Sequence, residues 1–136
     1  MTTRTALSIA AAFAVGSLIS HLPAQNQHVY ELRTYHALPG RLDALIARFR
    51  DHTTKLFEKH GMRNIGYWVP ADAPVSQNTL IYILEHDSRE AAKKSWGGFQ
   101  NDPEWTKVRD ASEADGKIVE KIDSVYMTPT DFSKLK

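Results

Sequence analysis

Val29-Tyr30-Glu31-Leu32-Arg33-Thr34-Tyr35-His36 is followed, two residues later, by Pro39-Gly40. The first stretch alternates in side-chain character with a period of two, as a strand with one covered face does. Pro39-Gly40 marks a turn. Beyond it Leu42, Leu45, Ile46, Phe49, Thr53, Leu56 and Phe57 recur at spacings of three and four. That spacing puts them on one face of a helix. His60-Gly61 closes the helix, with a glycine stop and a histidine in the last turn. A strand, a tight turn and an amphipathic helix therefore open the folded part of the chain.

The same reading continues outward. Residues 62–69 form a second strand, and 70–77 form a polar loop containing prolines. Residues 78–86, rich in Ile, Leu and Tyr, form a third strand. Asp87 or Ser88 caps a helix whose Ala92, Trp96 and Phe99 share a face, and Gly97-Gly98 weakens its end. Asp102 caps another helix, with Pro103 at its first position, where a missing N–H costs nothing. Gly116 ends or kinks that helix, and residues 122–127 make the last strand before Pro129. The order is βαββαβ with the second crossover split in two. That order predicts an α+β ferredoxin-like domain, a four-stranded antiparallel sheet with helices on one face.

Gly66-Tyr67-Trp68, Asp87-Ser88 and Asp102-Pro103-Glu104-Trp105 follow the opening Tyr30-Glu31-Leu32-Arg33-Thr34-Tyr35 and Pro39-Gly40 in this order. In these blocks the chain resembles the NIPSNAP family of the dimeric α/β-barrel group. The resemblance covers roughly residues 28–127, and the domain is expected over 28–130. It implies a homodimer in which two sheets form a barrel. The match loosens along the third strand. Where the family often carries Leu-Trp-Arg-Tyr, this chain reads Ile83-Leu84-Glu85-His86.

Length and composition suit one domain: 136 residues, 42% hydrophobic and 24% charged. Residues 1–24 read as a secretory signal peptide. Arg4 supplies the positive start, Ala6 to Ser20 is apolar and uncharged, and Ala24 precedes polar Gln25-Asn26-Gln27. The apolar stretch is short for a membrane span, which needs about 20 residues. Export and a secreted or periplasmic location follow, with an uncleaved N-terminal anchor as the competing reading. Losing Arg4 takes the basic residues from 17 to 16, against 16 acidic ones. A neutral chain without basic runs carries no footprint for nucleic acid or anionic membranes. The absence of cysteine rules out disulfides, thiolate metal sites and a Cys nucleophile.

Alternation divides the strand residues into two sets. One set, including Tyr30, Leu32, Thr34, Ile65, Tyr67, Ile81, Ile83, Val125 and Met127, is mostly apolar and is expected to pack on the helices. The other holds Glu31, Arg33, Tyr35, Asn64, Gly66, Trp68, Tyr82, Leu84, His86, Ser124 and Tyr126. This set mixes charge with large aromatics and is expected to face a second copy of the chain. Its polar end gathers Glu31, Arg33, Asn64 and His86; Tyr35, Trp68 and Tyr82 form an apolar wall. These seven are the candidate ligand-binding residues, with His86 and Glu31 as candidate acid–base groups. Glu31 and Arg33 have two readings, a ligand-orienting pair or a salt bridge that secures assembly.

The six histidines lack the spacing of metal ligands, so no metal is expected. His36 and His86 fall at opposite ends of adjacent strands, and His52 reads as a packing residue between Phe49 and Leu56. Trp96 and Trp105 read as core. No nucleophile elbow, phosphate-binding loop or dinucleotide fingerprint is present, and no cofactor is expected. The expected function is small-molecule binding within a homodimer. Two rivals remain: a cofactor-independent monooxygenase or haem-handling enzyme of the same fold, built around Trp68, Asn64 and His86, and a structural protein with a filled barrel.

Overall fold

Strand pairing in the computed structural model, which describes residues 28–136, follows the expected order. The strands are β1 (Val29–Ala37), β2 (Arg63–Trp68), β3 (Thr79–His86) and β4 (Val119–Met127). They form one sheet ordered β2-β3-β1-β4, with every neighbouring pair antiparallel. Leu32 of β1 lies opposite Ile83 on one side and Val125 on the other. The signal-peptide reading falls on residues outside those described.

The first helical stretch comprises α1 (Leu42–Arg48) and α2 (Thr54–Lys59), joined by a π-helical turn, Phe49–Thr53. Its apolar positions explain the wide turn. Leu45, Phe49, Thr53 and Phe57 are spaced by four, and each such step overshoots a full α-helical turn by about 40°. A wider turn absorbs part of that drift and keeps all four buried. α3 (Arg89–Gln100) starts at Ser88, whose hydroxyl accepts from the Ala91 N–H at 3.0 Å. Gly97-Gly98 falls in its last turn, and the helix runs on to Gln100. Gly98 makes room for the His60 ring, whose Nδ1 would lie 2.8 Å from any Cβ placed there. α4 (Pro103–Ser112) starts at Asp102, which accepts from the Glu104 N–H at 2.8 Å. Gly116 lies beyond its end, at a φ of +132° that favours glycine.

The helices cover the face opposite to the one expected. Tyr35, Leu80, Tyr82 and Leu84 are buried against Leu45, Phe49, Phe57 and Phe99 of the helices. Tyr82 is the centre of an aromatic layer, with ring centroids 5.1–5.4 Å from Phe49, Tyr67 and Tyr35. Such pairs add to the area each ring buries. Polar composition misled the assignment, because the charged members of this set are hydrogen-bonded to one another and so can be buried. β2 departs again. A register shift between Asn64 and Gly66 breaks its alternation. Asn64 therefore turns to the helices, donating to the Thr54 carbonyl at 3.0 Å. Gly66 and Trp68, paired with Ile83 and Ile81, lie on the uncovered face. There the Trp68 indole passes so close to Gly66 that a Cβ would sit 2.5 Å from it.

The uncovered face carries Leu32, Thr34, Ile81, Ile83, Val125 and Trp68. Val125 is 55% exposed and Trp68 51%. At one end, Pro129, Ser133 and Leu135 of the C-terminal segment border a hollow with Tyr30, Ile83 and Met127. Tyr30 is buried there, while Phe132 points to solvent. His52, expected to pack, is exposed instead. Among the described residues no helix is long and apolar enough to cross a membrane.

Candidate functional site

β1 and β3 bring Glu31, Arg33 and His86 together on the helix side, as their shared parity requires. The Glu31 carboxylate is 1% exposed and accepts four hydrogen bonds. Oε1 takes Arg33 Nη1 and the Ser124 hydroxyl, both at 2.7 Å. Oε2 takes His86 Nε2 at 2.8 Å and the Trp96 indole N–H at 2.7 Å. Burial alone would raise the carboxyl pKa. The bonds from His86, Ser124, Arg33 and Trp96 outweigh it and bring the value down to about 2. Arg33 is also desolvated, which lowers its pKa, yet Tyr82, Tyr35 and then its bond to Glu31 together hold it above the ordinary value. Its guanidinium lies 4.2 Å from the Trp96 ring centre.

This constellation is a closed charge cluster. Glu31 and His86 are shielded from solvent, and His86 Nδ1 has no partner among the described residues. Tyr82 is equally enclosed. Asn64 is committed to Thr54, Glu58 and the Tyr67 hydroxyl. Trp68 lies on the other side of the sheet. The seven candidates therefore do not line one cavity. Of the seven, Tyr35 borders a cleft between sheet and helices, and Arg33 sits 5.7 Å from its ring centre.

That space is a cleft of about 340 Å³ between α4 and the edge strand β4. Tyr35, Trp105, Val119 and Ile122 form its apolar walls. Arg48 lies at its base, and Arg109, Lys117, Lys121, Glu113 and Glu120 complete it. The cleft exists because β4 is an edge strand whose side chains are largely uncovered by the helices. A second, wider groove of about 550 Å³ runs between α1 and α4, past Ala44, Ala47, Asp51 and Val108. Arg48 borders both.

The sequence carries a weak signal for Arg48. It falls three residues after Leu45, inside the buried stripe of its helix, where a charge is out of place. Burial pushes its pKa down, against the opposing pull of Glu113. Trp105, expected in the core, packs against it while also walling the cleft. Among the described residues, His28, His36 and His60 pair with carboxylates, His28 with Glu85. His36 meets Asp123 at 2.9 Å, and His60 meets Asp102 at 2.7 Å. Among the described residues no three His, Asp or Glu side chains come together as metal ligands do.

A family model described as NIPSNAP matches residues 30–134. The chain belongs to the NIPSNAP family. Solved NIPSNAP structures agree with this assignment. A NIPSNAP family protein of unknown function from Agrobacterium tumefaciens C58 is 22% identical, with a TM-score of 0.69 over 82% of this chain and 96% of its own. A second from the same strain is 21% identical, with a TM-score of 0.70 over 81% and 100%. A Streptomyces coelicolor monooxygenase, solved with nanaomycin D, is 15% identical, with a TM-score of 0.56 over 82% and 96%. At these identities the structural likenesses establish the fold of the NIPSNAP domain alone. No curated protein matches the sequence.

Proposed function

We propose that this NIPSNAP protein is exported, forms a homodimer through the uncovered face of its sheet, and binds a small molecule in the cleft between α4 and β4. One observation carries the binding role: Tyr35 and Trp105 wall a 340 Å³ cleft into which the buried Arg48 reaches. Apolar walls with a few converging polar groups are what a small-molecule site requires, and the volume is within the usual range of about 300–1,000 Å³. The site therefore lies between sheet and helices within each subunit, and not between two sheets. The monooxygenase alternative loses its residue basis, because Asn64 and Trp68 point to opposite faces and His86 is sealed against Glu31.

A screen of small aromatic fragments by ¹H–¹⁵N NMR tests this reading. Binding fragments are expected to shift the Trp105 indole and the amides around Tyr35 and Val119. Trp105→Ala should weaken their binding about fivefold or more, since stacking on one indole contributes on the order of 1 kcal/mol. Hits that map only to the uncovered sheet face, or a screen without hits, would sink it. For export, N-terminal sequencing of protein recovered outside the cytoplasm should begin near Gln25; a chain beginning at Met1 would contradict cleavage.

A further inference from the structure

Among the described residues three arginines have a buried Nε without a partner, Arg33, Arg41 and Arg48, and they differ in how the rest of the guanidinium is held. Arg33 donates to Glu31 at 2.7 Å. Arg41 grips Asp115 through two bonds of 2.9 and 3.0 Å. Arg48 has only long contacts, 3.3 Å to the Ser112 hydroxyl and 3.4 Å to Glu113 Oε1. Charge-assisted hydrogen bonds normally settle near 2.7–2.9 Å. Its side chain is nevertheless the least exposed of the three, at 4%. A desolvated cation with loose partners at the base of a cleft is poised for a better acceptor.

We infer that the cleft takes a small organic anion with a flat apolar body, its carboxylate or similar group seated on Arg48. This rests on reading the cleft as the ligand site. The guanidinium fork matches a planar anion in two-point contact. Tyr35 and Trp105 offer ring surfaces to the body of the ligand, and the Arg48 guanidinium already lies 5.2 Å from the Trp105 ring centre. Lys117 adds a further positive group to Arg48 at the cleft, while Arg109 and Lys121 are paired with Asp110 and Asp123. Glu113 occupies the place the anion would take. Its side chain is 29% exposed, so it can swing to water when a ligand arrives. The backbone points to the same spot. The π-helical turn begins at the residue after Arg48, and the Thr53 hydroxyl donates to the Arg48 carbonyl at 3.2 Å. Single π turns inside helices recur at functional sites.

The test uses benzoate as probe and benzamide as its neutral counterpart, titrated into the full mature chain and followed by NMR. Benzoate is expected to shift the Trp105 indole and to bind at least tenfold more tightly than benzamide. Arg48→Gln should weaken benzoate at least tenfold. Should that variant fail to fold, Glu113→Gln decides the matter: removing the competing carboxylate should tighten benzoate severalfold. Benzamide binding the cleft as well as benzoate would overturn the anion assignment while leaving the cleft as a ligand site. Benzoate shifts confined to other surfaces, or a Glu113→Gln affinity that is unchanged or weaker, would overturn it as well.

Discussion

Glu31→Ala is expected to destabilise the fold by about 3–5 kcal/mol, the range for removing one member of a buried ion pair. The loss is large because four donors share one carboxylate. Arg33, His86, Ser124 and Trp96 would all lose an acceptor in a region that water does not reach. Each buried group left unsatisfied costs about 1–3 kcal/mol before relaxation. Glu31→Gln keeps the shape yet turns an NH2 group toward donors, so it should be nearly as damaging. Urea unfolding at pH 7 measures both; a loss below about 1 kcal/mol for the alanine variant would mean that the cluster contributes little net stability.

The same cluster predicts a pH dependence. The folded carboxyl pKa, about 2, lies below its ordinary 4.5. A depressed carboxyl contributes stability that is fully present above the unfolded value and is lost as pH falls toward the folded one. Between pH 4.5 and 2, Glu31 should therefore withdraw about 3 kcal/mol, and the alanine variant should lack that part of the acid slope.

Trp68→Glu is expected to raise the dimer dissociation constant at least about a hundredfold, a cost of about 2.7 kcal/mol or more. The side chain is half exposed on the uncovered sheet face, so the subunit itself should still fold. In a homodimer built on that face, a two-fold axis would bring both copies of the carboxylate into an apolar interface beside Ile81. Light scattering at micromolar concentration checks this, with circular dichroism to confirm the retained fold. A monomeric wild-type protein, or a variant that stays dimeric, would refute the interface. Phe132, exposed on the C-terminal segment next to the same face, extends the apolar surface available to a partner.

The sequence by itself determined the element order, and that order determined the sheet. Period-two alternation marks strands, three-and-four spacing marks helices, and Ser88, Asp102 and Pro103 mark helix starts; all are local chemistry. It also determined that Glu31, Arg33 and His86 share one side, because strand parity and antiparallel pairing are short-range rules. Only the tertiary structure decided which side the helices cover. Parity sorts residues into two sets without saying which set is buried, and polarity is a poor arbiter when a charged set satisfies itself. The more uniformly apolar set, Leu32, Ile81, Ile83 and Val125, lies on the face that the chain's own helices leave open. One inserted residue in β2 then parted Asn64 from Trp68, and nothing in the local sequence announces that shift. Arg48 and Trp105 meet Tyr35 only because α4 docks beside an edge strand. That contact joins three separate elements, so no spacing within the sequence could carry it.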